Sequence, residues 1–155
     1  MQTIEDLLGE VPVFGSISEE HRQFIAGCGR TAVVRDGDAL IREGDAATTF
    51  YVIRSGAVAL ETFVPQRGAV VLQTLHEGDL LGWSWLFPPY RFAFDARAMG
   101  DVHALEFDGA CLRQKCDSDP VLGYDLLKLF AGVIMQRLQN TRLQLLNVYD
   151  KVPGS

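Results

Sequence analysis

Thr49-Phe50-Tyr51-Val52-Ile53-Arg54-Ser55-Gly56-Ala57-Val58-Ala59-Leu60-Glu61-Thr62 is the stretch on which the fold turns. Two runs rich in β-branched and aromatic residues flank a Ser-Gly dipeptide, the sequence form of a two-residue hairpin. Working outward, Thr31–Val34, Ala39–Arg42, Ala69–Leu75 and Val102–Phe107 have the same character. Turn signals separate them at Asp36-Gly37, Glu43-Gly44-Asp45, Gly68, Gly78-Asp79 and Gly100-Asp101. Short strands broken by glycine turns at intervals of roughly 8–12 residues predict an antiparallel sandwich or barrel over residues 30–107, not βαβ units.

Helical patterns flank this block. In residues 1–29, Thr3 and Asp6 cap a turn around Ile4, Leu7 and Leu8, and Ser18 caps a helix from Glu19 to Ala26, ended by Gly27 and Gly29. In residues 108–150, a short helix from Asp108 to about Lys115 leads to Asp119-Pro120, where Pro suits a first helical turn. Beyond it, Leu127, Phe130, Ile134, Leu138, Thr141, Leu145 and Val148 recur at three- and four-residue steps and predict one long helix from Tyr124 to Lys151. Its roughly 27 residues give about 40 Å at 1.5 Å per residue. That exceeds the span of so small a barrel, so the helix should overhang it and expose an apolar stripe. The same helix of a second copy is the simplest cover, and a homodimer is expected.

Composition narrows the function. At 155 residues the chain fits a single domain, and 48% hydrophobic with 22% charged residues is ordinary for a globular protein. A formal net charge of −6 disfavours nucleic acid, whose phosphates demand concentrated Lys and Arg. Residues 1–107 hold eight basic and fifteen acidic side chains, and the six basic residues of 108–155 form no stripe. No apolar run reaches the ~20 residues of a membrane span, and Met1–Leu8 lacks the basic residues of a secretory signal. A cytoplasmic location is expected. The three cysteines, Cys28, Cys111 and Cys116, form no CxxC pair and read as reduced, half-buried residues. The histidines His21, His76 and His103 form no HxH cluster of the kind a metal cupin needs, so neither a metal site nor enzymatic activity is expected.

Several blocks carry a resemblance. Ile41-Arg42-Glu43-Gly44-Asp45 followed by Phe50-Tyr51-Val52-Ile53-Arg54-Ser55-Gly56 resembles the "EGD…FYVI.SG" block of the cyclic-nucleotide-binding domain family, which includes the bacterial catabolite activator and kinase regulatory subunits. Leu75-His76-Glu77-Gly78-Asp79-Leu80-Leu81-Gly82 and Ala96-Arg97-Ala98 resemble two further blocks, so the similarity runs from about Val11 to Tyr149. It implies a mainly β fold with flanking helices. The core is a double-stranded β-helix (jelly-roll) barrel with short N-terminal helices and one long C-terminal helix. It also implies a regulatory sensor module whose ligand is a cyclic nucleotide, cAMP or cGMP, and which reports through its dimer helix to a protein partner. The winged helix-turn-helix of the transcription-factor branch does not follow the long helix before Ser155.

In that family a phosphate-binding cassette holds the ligand. A short helix offers backbone N–H groups to the cyclic phosphate, a Glu takes the ribose hydroxyl and an Arg neutralises the phosphate. Here Gly82 keeps its place, but Trp83 stands where the Glu belongs. The resemblance makes Gly82, Trp83, Ser84, Trp85, Arg91 and Ala93 the candidate ligand residues. Thr141 joins them because Gln136–Arg142 resembles the part of the activator's long helix whose Thr touches adenine. Arg91 fits the "R-x-A" form yet lies one residue out of step with Ala96-Arg97-Ala98. Counted back from Arg97, Phe92 takes the phosphate-facing position, unless a bulge near Phe94-Asp95 restores Arg91. Trp83, Trp85, Phe87, Tyr90, Phe92 and Phe94 replace the charged pair with rings. Three readings stay open: a pocket filled by its own aromatics, a remodelled pocket for a base or apolar effector, and ordinary cAMP binding by Arg91 and the cassette amides.

Overall fold

The computed structural model describes residues 2–150, without the side chains of the last two. The expected C-terminal helix end at Lys151 lies outside these residues. The chain opens with α1 (Ile4–Gly9), a 3-10 turn (Pro12–Phe14) and α2 (Glu19–Ala26). As expected, Thr3 and Asp6 form a reciprocal capping box on α1, and the Ser18 hydroxyl accepts from the His21 N–H on α2.

Six antiparallel strands follow: β1 (Gly29–Val34), β2 (Ala39–Ile41), β3 (Thr49–Val64), β4 (Gly68–Leu75), β5 (Leu80–Leu81) and β6 (Asp95–Asp108). The frame is the long β3–β6 pair, which runs from Thr49 opposite Asp108 to Glu61 opposite Asp95. Along its first half β1 adds to β6 and β5 to β3; along its second half β2 adds to β6 and β4 to β3. The result is two four-stranded layers sharing two continuous strands, the jelly-roll arrangement.

The Ser55-Gly56 hairpin does not form. β3 passes straight through it, and the register against β6 slips on both sides of Ser55. The dipeptide is a bulge that bends a continuous strand from one layer to the other. Gly56 takes φ +91°, and a Cβ there would lie 2.6 Å from the Asp101 carbonyl oxygen, so only glycine suits the corner. A Ser-Gly pair serves a turn and a bulge equally well, and the partner strand that decides between them lies some forty residues away.

The core is centred on four rings. Phe50 of β3 stacks on Trp85 (5.3 Å) and Phe107 (4.7 Å), and Phe130 meets Phe50 and Trp85 edge-on at 5.2 and 5.3 Å. After β6 the chain forms α3 (Gly109–Ser118) and α4 (Pro120–Asp150), whose 31 residues span about 46 Å. Gly132 lies inside α4 without breaking it, although Gly is a poor helix former. No helix among the described residues is long and apolar enough to cross a membrane.

Two further expectations need correction. Cys28 and Cys111 form a disulfide, with Cα atoms 5.8 Å apart. The Asp108 N–H donates to the Cys28 carbonyl, which sets the first turn of α3 beside the start of β1. With 83 residues between the two cysteines, no spacing rule points to this pair. Cys116 stays free, and burial pushes its thiol up. Phe130 is the other: it is fully buried in the core and does not belong to an outward stripe.

Candidate functional site

The cassette loop runs from Gly82 to Phe94. Gly82 follows β5 at φ +92°, and the sharp turn it makes is one a side chain would strain. Only one turn of helix-like backbone follows, closed by the Leu86 N–H donating to the Trp83 carbonyl. Pro88 and Pro89 then remove two N–H groups, so the loop offers few amides to an anion.

Backbone bonds fix the register of the loop's far end. The Ala47 N–H donates to the Tyr90 carbonyl, the Phe92 N–H to the Asp45 carbonyl and the Gly44 N–H to the Phe92 carbonyl. This ladder alternates side chains about Arg91, so Arg91 and Phe92 face opposite ways. Arg91 lies exposed on the surface and donates to the Gly44 carbonyl at 3.2 Å. Phe92 turns inward, 7% exposed, and its ring lies 3.6 Å from where a Cβ on Gly82 would stand. A phenyl ring, not the Arg91 guanidinium, thus takes the inward position beside Gly82. The step between Phe94 and Asp95 does not return Arg91 to it.

The other candidate residues divide. Trp85 is wholly buried, with no hydrogen-bond partner for its indole N–H among the described residues. Trp83 and Ser84 are half-buried, and the Trp83 ring packs edge-on against Phe94 at 5.6 Å. Ala93 is exposed beside the loop. Thr141 is exposed on α4, and its hydroxyl donates back to the Arg137 carbonyl at 2.9 Å. Six of the seven belong to the cassette loop, and the seventh, Thr141, belongs to α4.

Two arginines absent from the candidates bind the cassette to the C-terminal helices. Arg113 of α3 donates to the Trp85 carbonyl at 2.6 Å and lies 4.8 Å over the Tyr90 ring. Arg137 of α4 lies 5.0 Å over the Trp83 ring and is itself 8% exposed. Burial pushes its guanidinium down to about 10, offset in part by the Asp79 carboxylate. Both are cation–π contacts to rings in the aromatic loop, a signal that becomes visible only once helix and loop are adjacent. On the barrel, Glu61 and Arg97 pair across β3 and β6 through two hydrogen bonds of 2.9 and 3.2 Å.

α4 has two apolar faces. Leu122, Leu126, Leu129 and Phe130 are buried against the rest of the domain. About a quarter-turn round the helix from them, Tyr124, Leu127, Ala131, Ile134, Leu138, Thr141, Leu145 and Val148 recur in strict alternation of three and four residues, all exposed except the half-buried Ile134. This is an a/d heptad seam of the kind that pairs two helices. It takes six of the seven expected stripe residues and exchanges Phe130 for Ala131.

Comparison with known proteins agrees with the architecture. A stretch of a cAMP-dependent protein kinase regulatory subunit from Schizosaccharomyces pombe is 43% identical over 49 residues, covering 32% of this chain but only 12% of that protein. Among solved structures, a cyclic nucleotide-binding domain from Methylobacillus flagellatus superposes with a TM-score of 0.79 at 18% identity, over 98% of this chain and 84% of that one. The regulatory domain of Toxoplasma gondii PKA, crystallised with cAMP, superposes with a TM-score of 0.68 at 21% identity, over 83% and 48%. At such identities the superpositions speak for the fold. The family description "cyclic nucleotide-binding domain" matches residues 31–119, more than half of the sequence, and the chain belongs to that family.

Proposed function

We propose that this is a regulatory sensor domain that dimerises through α4, signals through that helix to a protein partner, and recognises its small effector by means other than the phosphate cassette. The observation that carries the proposal is the inward Phe92 ring beside Gly82 with Arg91 turned out to solvent. A cyclic phosphate would have to displace that ring and would find no arginine facing it. With Trp83 in place of the ribose carboxylate as well, at least two charge-assisted hydrogen bonds are missing, each worth about 1.5–3 kcal/mol. cAMP and cGMP should therefore bind weakly if at all.

What remains sensor-like is the coupling. Arg113 and Arg137 hold the cassette to α3 and α4, so displacement of the loop moves the helices, and the exposed seam of α4 passes the change to a second copy. The rival, a ligand-free interaction module, draws support from the complete burial of Trp85. Against it stands a cleft of about 400 Å³ between barrel and α4, lined on one side by Gly78–Leu80 and on the other by residues from Lys128 to Asn140. The proposed setting is the cytoplasm, where thiols are kept reduced and the Cys28–Cys111 bond would form only on oxidation.

The test is a thermal-denaturation series with cAMP and cGMP at millimolar concentration, paired with sedimentation analysis of oligomeric state. The proposal expects a dimer and a melting temperature that neither nucleotide raises appreciably. A monomer at high concentration, or a rise of several degrees at micromolar nucleotide, would overturn it.

A further inference from the structure

The cleft between the barrel and the middle of α4 contains a cation without a partner. Arg137 is 8% exposed, and no side chain or carbonyl among the described residues accepts a hydrogen bond from its guanidinium; its Nη1 is fully enclosed. The guanidinium carbon lies 5.0 Å over the Trp83 ring. A cation–π contact supplies no oxygen acceptor, so the N–H groups that would pair with an oxyanion stay without one. A buried donor left this way is costly, and proteins seldom keep one without a use.

The surroundings suit an anion. One carboxylate, Asp79, lines the cleft as well, its Oδ2 accepting from the His76 N–H at 2.8 Å, so Arg137 and Lys128 together must outweigh its repulsion of an anion. At the rim, Lys128 is exposed and lies 5.1 Å over the Tyr124 ring, free to swing its ammonium toward a ligand. Gln73 and Asn140 add amide groups, and Leu80 and Leu129 line apolar wall. At about 400 Å³ the cleft matches a small metabolite. With its pKa at about 10, Arg137 still carries its charge at neutral pH.

We propose that this cleft is the effector site, and that it takes a small molecule bearing an oxyanion, a carboxylate or phosphate, held by the guanidinium of Arg137 with Lys128 at the mouth. The site joins β4–β5 to α4, so its ligand contacts barrel and dimer helix together. It rests on the sensor role proposed above but not on dimerisation. Its floor is Arg137, and the space beside Gly82 is no part of it.

The experiment is a titration of the whole chain with sodium phosphate and, separately, sodium benzoate, at constant ionic strength against sodium chloride. It is followed by the Arg137 side-chain NMR signal and by tryptophan fluorescence. The expected result is saturation with one of the two anions and not with chloride, and the anion that saturates identifies the headgroup. Arg137→Gln should weaken binding at least tenfold, the effect of one charge-assisted hydrogen bond, while Arg91→Gln should leave it unchanged. Arg137→Gln removes an unpaired buried cation and should fold. Lys128→Met, on the surface, gives a second reading and should weaken binding severalfold. No saturation by either anion, or saturation that survives Arg137→Gln, would overturn the proposal. Repeating the titration on the dimer-breaking Leu138→Lys separates the two proposals: loss of the dimer with binding kept leaves the site standing, and a failed titration on an intact dimer sinks the site alone.

Discussion

If two copies pair through α4 as proposed, Leu138→Lys should dissociate the dimer without harming the fold. In the single chain Leu138 is 68% exposed on the face of α4 turned away from the barrel. Fully burying a leucine stabilises by about 1.5–3 kcal/mol, so covering that exposed portion against a second helix is worth about 1–2 kcal/mol per copy. Two copies meet at the seam, giving about 2–4 kcal/mol per dimer, or a dissociation constant raised roughly 30- to 900-fold. Two like charges brought together at an a-position add to that cost. Within the protomer the change is a surface substitution, expected to shift stability by no more than about 0.5 kcal/mol. Sedimentation velocity across a concentration series reads the first number, and thermal unfolding at a concentration where both proteins are monomeric reads the second. An unchanged monomer–dimer equilibrium would refute the heptad seam. A large loss of monomer stability would mean that α4 packs differently from the two-faced helix described above.

Three further outcomes follow from the same contacts. Reducing the Cys28–Cys111 bond, or replacing Cys111 by Ser, frees a loop of more than eighty residues; loop-closure entropy assigns it about 4.5 kcal/mol, and the melting temperature should fall by about 10 °C or more. A fall within error would show that the bond does not form in solution. Trp85→Ala should cost about 3–5 kcal/mol, because its indole is fully enclosed by Phe50 and Phe130, whereas Trp83→Ala, half-buried, should cost clearly less; equal losses in urea titrations would contradict the assigned core. The Asp101 carboxyl is held below its ordinary range by the Asp36 N–H and Arg35. Its contribution is therefore present at neutral pH and lost as pH falls through the depressed value, so Asp101→Asn should lower the melting temperature at pH 7 and leave it unchanged in strong acid.

Much of the barrel was legible because its signals are local. The strand-forming runs, the capping residues of α1 and α2 and the three-four rhythm of α4 each need only a few neighbouring residues to be recognised. Where the sequence misled, the deciding partner was distant. Ser55-Gly56 is a bulge because β6 continues beside it, Phe130 faces inward because the Phe50–Trp85 pair waits there, and Cys28 meets Cys111 because Asp108 hydrogen-bonds to its carbonyl. The orientation of Arg91 depended on a ladder with Gly44–Ala47, and the one-residue register argument named the alternatives without being able to choose. Arg113 and Arg137 carry no motif of their own. Their role is defined by rings on a loop that precedes each of them by some twenty to fifty-five residues.

In the function proposed above, the protein's own Phe92 fills the phosphate position of the cassette. Calorimetric titration of cAMP into the wild-type chain, beside the double variant Trp83→Glu with Phe92→Arg, tests it most directly. The wild type should show no measurable binding at micromolar cAMP, and restoring the carboxylate and the inward arginine should gain at least tenfold. Micromolar binding by the wild type, weakened by Arg91→Gln, would contradict it.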